Sequence, residues 1–251
     1  MISMTPDKNL SFLQYAENND LRTLCDILTL NNKGEFRVNE KLSDTDSYIE
    51  CYPDNMAGMW KDIAYELQSF GGNTFMNVFS RHGRGPEYES IVNDVCRKVG
   101  VKVPRHAECE QMESLLLEFF CKKALDRMSE EELRSLCEEL GITAKHKVTR
   151  TAMIAAIIAT RKVSTRAYVF VLQTIMSFLE RFILGRTTIV LTGGLLSRSL
   201  SILTGPVGMA LLTGYTLWDL AGPAYRVTIP AVLQVAMMRA AYKSNLNKEV
   251  A

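Results

Sequence analysis

A run of twenty residues without a charge, residues 199–218 (SLSILTGPVGMALLTGYTLW), constrains this chain more than any other feature. As one α-helix it would rise roughly 30 Å, the thickness of a bilayer's hydrocarbon core. Length alone therefore permits a span. Gly205 and Pro206 lie inside the run, and a proline in a helix interior removes a backbone donor at a cost of about 3 kcal/mol. One helix is therefore expected to end near Leu203 and another to begin at Pro206, since proline suits the first turn. The wider apolar stretch, residues 187–225, holds Arg198 and Asp219. Either charge is expensive in lipid unless it snorkels or pairs.

Four helical segments are expected in the back of the chain, at residues 165–184, 187–203, 206–220 and 225–242. The third, at about 22 Å, is too short to cross a bilayer alone. The expectation is a Gly-rich apolar helical hairpin, buried or shallowly inserted, and not a permanent multi-span protein. Gly193, Gly194, Gly205, Gly208 and Gly214 let helices approach closely, which membrane pairs and soluble cores use alike. The candidate docking residues are Arg198, Leu203, Gly205, Pro206, Gly208, Leu212 and Trp218, and Asp219 and Arg226 are candidates for a structural pair across a turn. Pro223 and Pro230 bracket AYRVTI, whose β-branched residues suit an extended start before a helix resumes at Val232.

The charge is divided. Residues 1–160 carry 19 Lys and Arg against 25 Asp and Glu, whereas residues 161–251 carry 10 against 3, so a net charge of +1 conceals an acidic front and a basic back. That division suits anionic lipid head groups or an acidic partner, and equally a basic region docked on the chain's own acidic front. At 47% hydrophobic and 23% charged residues the chain is a folded protein. Its six cysteines show no CxxC spacing and its first ten residues are polar, which points to reduced thiols in the cytoplasm, most of them small buried hydrophobes.

Apolar spacing in the front is helical. Residues 8–30 read as a helical hairpin with Asn18, Asn19 and Asp20 as cap residues, and residues 122–140 repeat its Leu, Arg and Cys pattern at an offset of 112. Residues 31–55 read as a polar connection with one helical turn. Residues 56–70 form an amphipathic helix that Gly71 and Gly72 are expected to close, with another starting near Asn73 or Thr74. Tyr88, Ile91, Val92, Val95 and Cys96 mark a helix, as do Met112, Leu115, Leu116, Phe119 and Phe120. Ser129 and Glu132 have capping-box spacing. No strand-length alternation occurs, so the fold class is all-α, a multi-helix bundle. The expected divisions are residues 1–55, 56–128, 129–160 and 161–251.

Residues 129–159 resemble helix-extension-helix modules of the SAP type, with an acidic first helix, Gly141 as its terminator, and Lys145, Lys147 and Arg150 leading into a second helix. The resemblance implies that these three cations contact nucleic acid, although the glutamates of the first helix repel phosphate. Three further blocks, FLQYAENNDLRTLCDILT, ELQSFGGNT with RHGRGPEYESIVNDVCRKV, and GPAYRVTIPAVLQVA, make the whole chain look like the uncharacterised bacterial YaaW-type family. That resemblance implies a helical, cytoplasmic or membrane-associated protein with a region related to ubiquinol-cytochrome c chaperones. It brings no catalytic residues.

Other chemistry is sparse. Arg81, His82 and Arg84 lie beside Gly83 and Gly85 in a candidate anion-binding turn. His106, Cys109 and Cys121 lack a paired zinc knuckle, so no metal and no cofactor is expected. The sequence contains no GxxxxGK[ST], HExxH or GxSxG, and its carboxylates are expected on solvated helix faces. The expected function is non-catalytic: docking on the inner membrane or a protein partner, or on a second copy of the chain, as an assembly factor or a membrane-acting stress or defence effector. The expected location is cytoplasmic and peripheral at that membrane. Nucleic-acid binding through residues 129–159 is the alternative.

Overall fold

The computed structural model describes residues 7–31, 33–38, 40–74, 85–126, 128–142, 149–163, 168–169, 171–172 and 224–249. Among these the protein is all-α. The α-helices are α1 (Asn18–Thr29), α2 (Asp46–Cys51), α3 (Trp60–Thr74), α4 (Tyr88–Val99), α5 (Cys109–Leu125), α6 (Glu130–Glu139), α7 (Arg150–Val163) and α8 (Tyr225–Glu249), with short 3-10 helices at Ser11–Tyr15, Leu42–Asp44 and Met56–Met59. The described residues contain one isolated antiparallel bridge, between Leu30 and Phe36.

The helix at the end of the chain is the middle of the fold. In α8 every residue from Val227 to Arg239 is buried, as expected of a helix apolar on all sides. It packs against α1, α3, α4, α5 and the Ser11–Tyr15 turn, while α6 and α7 pair and α7 leans on α5. Leu24, Ile63, Val92, Leu116 and Leu233 belong to one continuous core, which also takes in Tyr168, Val171 and Leu172. At about 25 cal/mol per Å² of apolar surface, burial on this scale is the main force holding α8 in place.

Several local expectations are met. α4 buries the apolar stripe seen in the sequence, and α5 buries Met112, Leu116 and Phe120 of its stripe but leaves Leu115 and Phe119 half-buried. Ser129 and Glu132 form a complete capping box at α6, and Gly141 ends that helix with φ of 68°, a left-handed value that glycine adopts cheaply. In the proposed repeat, Leu21, Leu24 and Cys25 are buried, and so are Leu133, Leu136 and Cys137.

Others need correction. Asn18, Asn19 and Asp20 form the first turn of α1, whose N-cap is Glu17. Asn18 instead ties α1 to a distant loop, its side chain donating to the Pro53 carbonyl (3.0 Å) and accepting from the Met56 amide (2.8 Å). Gly71 and Gly72 do not end their helix. α3 runs on to Thr74 because Gly71 is needed for contact: a Cβ there would lie 2.4 Å from Cδ1 of buried Ile91 on α4. Residues 31–55 are better ordered than a plain connection, holding α2 and a 3-10 turn. The segment AYRVTI is helical, not extended, and Pro230 sits inside α8. Proline forfeits one helical hydrogen bond there, and burial of Val227, Ile229, Ala231, Val232 and Leu233 offsets that loss.

Candidate functional site

The polar centre of the core is built from four parts of the chain. Cys109, Met112, Leu116 and Phe120 form the inward stripe of α5, and Glu113 occupies that same stripe. Glu113 is 2% exposed and Arg239 of α8 is 8% exposed, so each charge needs a partner inside the protein. Arg239 Nε donates to Glu113 Oε2 (2.6 Å) and the terminal nitrogen of Arg239 to Glu113 Oε1 (3.3 Å). The hydroxyl of fully buried Tyr88, in the first turn of α4, donates to Glu113 Oε1 (2.9 Å). Arg239 also donates to the Asn9 carbonyl (2.5 Å), with its guanidinium carbon 4.2 Å from the centre of the Phe12 ring. Asp7 completes the closure: one carboxylate oxygen accepts from the Tyr88 amide (2.7 Å) and the other from the Asn9 amide (2.8 Å). A carboxylate is at home on the exposed amides of a helix N-terminus.

Electrostatics follow from this geometry. Burial pushes the Glu113 carboxyl above its ordinary value, against the pull of Arg239 and the Tyr88 hydroxyl. Burial alone would lower the Arg239 value, but Glu113 outweighs it and holds the guanidinium above its usual range. Tyr88 is pushed well up, first by burial and then by Glu113, so its proton stays on the phenol. The group is a sealed ion pair that joins α4, α5, α8 and the N-terminal segment. One turn outward Lys243 pairs with Glu110 at the surface, where such pairs contribute little.

A second polar layer lies beside α1. Asp26, Glu40 and Glu66 are all buried, which corrects the expectation of solvated carboxylates. Asp26 accepts from the Tyr52 hydroxyl (3.0 Å), Glu40 from the Ser43 amide (3.0 Å) and Glu66 from the Lys41 amide (3.3 Å). Tyr52 stacks on Tyr48 at 4.7 Å. The six thiols are free. Burial pushes Cys96 up to about 11 and Cys121 to about 12, values at which a thiol is a poor nucleophile. His106 is exposed, with φ of 62°, whereas Cys109 is buried. Among the described residues no group of three His, Cys, Asp or Glu side chains is placed to hold a metal.

The residues singled out from sequence are not brought together by the described part. Arg226 is exposed in the first turn of α8. Arg150 opens α7 and donates to the carbonyls of Leu125 (3.1 Å) and Asp126 (2.6 Å), capping the end of α5. Arg81, His82, Arg84, Lys145, Lys147, Arg198, Leu203, Gly205, Pro206, Gly208, Leu212, Trp218 and Asp219 lie outside the described residues. Glu113 and Arg239 were missed. Their signal was Glu113 itself, a charge at a core register of an apolar stripe, and Arg239 directly after an apolar run.

Fold and site together define an all-α protein closed around its own C-terminal helix by a sealed ion pair. No helix among the described residues is long and apolar enough to cross a membrane. Residues 4–38 match a family described as "Domain of unknown function (DUF3944)". A "UPF0174 protein" from Helicobacter pylori is 35% identical over 233 residues, covering 93% of this chain and 91% of the relative. "UPF0174 protein YaaW" from Escherichia coli is 30% identical over 235 residues, 93% of this chain and 94% of the relative. The chain belongs to the UPF0174 family, as the resemblance to YaaW-type proteins implied. No solved structure matches it.

Proposed function

We propose that the protein is a non-catalytic docking protein, in which the helical core holds the apolar stretch at residues 173–223 against the inner membrane. One observation carries this reading. The uncharged run at residues 199–218 belongs to a stretch of 51 residues whose flanks are both fastened in the core, by Tyr168, Val171 and Leu172 before it and by α8 after it. Because α8 is committed to the core, the docking surface is the stretch ahead of it and not the whole basic back half. Glu113, Arg239 and Tyr88 are buried and bonded to one another, which suits them to joining helices and not to meeting a substrate. An assembly factor related to ubiquinol-cytochrome c chaperones and a membrane-acting stress or defence effector are both forms of this activity.

Cell fractionation with salt and carbonate washes tests the reading. Retention in the membrane fraction, together with binding of purified protein to vesicles, is the expected result. Wholly soluble protein that binds no vesicle removes it, and soluble protein in a stable complex replaces the membrane with a protein partner. Growth arrest with loss of membrane potential on overexpression would favour the effector form. Nucleic-acid binding is not adopted, since Arg150, one of its three cations, is engaged by carbonyls of the chain.

A further inference from the structure

Among the described residues of the acidic front, a cationic edge lies where the apolar stretch rejoins the core. Residues 95–107 (VCRKVGVKVPRHA) hold Arg97, Lys98, Lys102 and Arg105 and no acidic residue. All four are exposed, at the C-terminal end of α4 and in the loop that follows. Cations belong at a helix C-terminus, which explains Arg97 and Lys98 locally, but Lys102 and Arg105 lie beyond the last turn. The first turn of α8 is pinned to this edge: the Tyr225 hydroxyl donates to Asp94 (2.5 Å), and Lys98 Nζ sits 4.9 Å from the centre of the Tyr225 ring. Arg97 reaches the same Asp94 at 3.9 Å. Arg226, next to Tyr225, adds a further exposed cation. Two acids flank this edge: Asp94, whose side chain is 14% exposed and already engaged by Tyr225, and Glu108, exposed at the N-cap of α5 three residues after Arg105.

We infer that Arg97, Lys98, Lys102, Arg105 and Arg226 form a basic collar that docks on anionic phospholipid head groups, an inference that rests on the membrane reading above and names its lipid. The chain re-enters the core at Tyr225, seven residues after the uncharged run ends at Trp218. Seven residues reach at most roughly 25 Å, so cations at that point are within reach of the head groups when the run meets the bilayer. Each contributes an attraction that converts to about fivefold in binding and weakens with salt.

The test is sedimentation of the full chain with vesicles of phosphatidylcholine alone or with added phosphatidylglycerol, at low and high salt. The expected result is tighter, salt-sensitive binding to the anionic vesicles. The variants Lys102→Glu with Arg105→Glu, and Arg97→Glu with Arg226→Glu, are expected each to lose about fivefold per cation removed. Reversal of Lys122 and Lys123, exposed at the end of α5, should leave binding unchanged. Circular dichroism and an unchanged melting temperature exclude misfolding, and the loop variant removes no core contact. Equal binding of the native chain and both collar variants to both vesicle types overturns the collar while leaving membrane docking intact. Binding of the native chain to neither overturns both. Retention on duplex DNA that the same variants abolish, without vesicle binding, reassigns the collar to nucleic acid.

Discussion

Arg239 satisfies Glu113, the Asn9 carbonyl and the face of Phe12 at once, so its removal would strand a buried carboxylate with Tyr88 as its remaining hydrogen-bond donor. Breaking a buried pair in this way costs roughly 3–5 kcal/mol. Arg239→Ala is therefore expected to lower the unfolding free energy by about that amount in urea titration, whereas Lys243→Ala at the surface pair should change it by under about 1 kcal/mol. Replacing both partners, Glu113→Leu with Arg239→Met, should recover most of the loss, because no charge is then left buried. Equal costs for Arg239→Ala and Lys243→Ala would show that the pair does not hold the fold together. Asp20 behaves differently. Burial, helped by Glu17, pushes its carboxyl up to about 6, so between about pH 4 and pH 6 the folded protein binds a proton that the unfolded chain has released. Stability falls as pH rises through that window, and the penalty persists above it. Asp20→Asn should thus stabilise at pH 7 by about 1–2 kcal/mol and scarcely at pH 4, as read from melts at the two pH values. The unusual register of Glu113 was legible in the sequence. Its partner was not, since 126 residues separate them.

At the level of elements, Gly71 shows how contact overrides local preference. Alanine is the better helix former by about 1 kcal/mol, yet a Cβ at Gly71 would meet Ile91, a buried β-branched side chain with little room to move. Gly71→Ala is expected to destabilise by about 1–3 kcal/mol in thermal or urea unfolding. A stabilised variant would show that α3 and α4 are not in close contact there. Helices α1, α4, α5 and α6 could be read from their apolar spacing, and α6 also from its capping box, because those signals lie within a few residues. Two of the misread positions share a cause. Gly71 and Pro230 look like terminators when judged by neighbours in sequence, and each is kept inside a helix by packing against side chains from other parts of the fold.

Across the whole molecule, the division of charge has an internal explanation and a remainder. Arg239 and Lys243 of the basic back are matched by Glu113 and Glu110 of the acidic front, so one of the two readings of that division, a back docked on its own front, holds for α8. A chain ending before Tyr225 is expected to lose its cooperative unfolding transition, because the front would be left without its central helix. Replacing residues 173–223 by a flexible linker is expected to keep the transition and to abolish membrane retention. Urea unfolding followed by tryptophan fluorescence, with Trp60 as reporter, and fractionation separate the two results. By itself the sequence determined that the chain is helical, where most front helices run and which stretch lacks charge, because periodicity, caps and composition are local properties. Only the tertiary structure decided that the last helix lies at the centre and that Glu113 and Arg239 are partners. Burial and ion pairing depend on which surfaces meet, and these surfaces lie 126 residues apart in the chain.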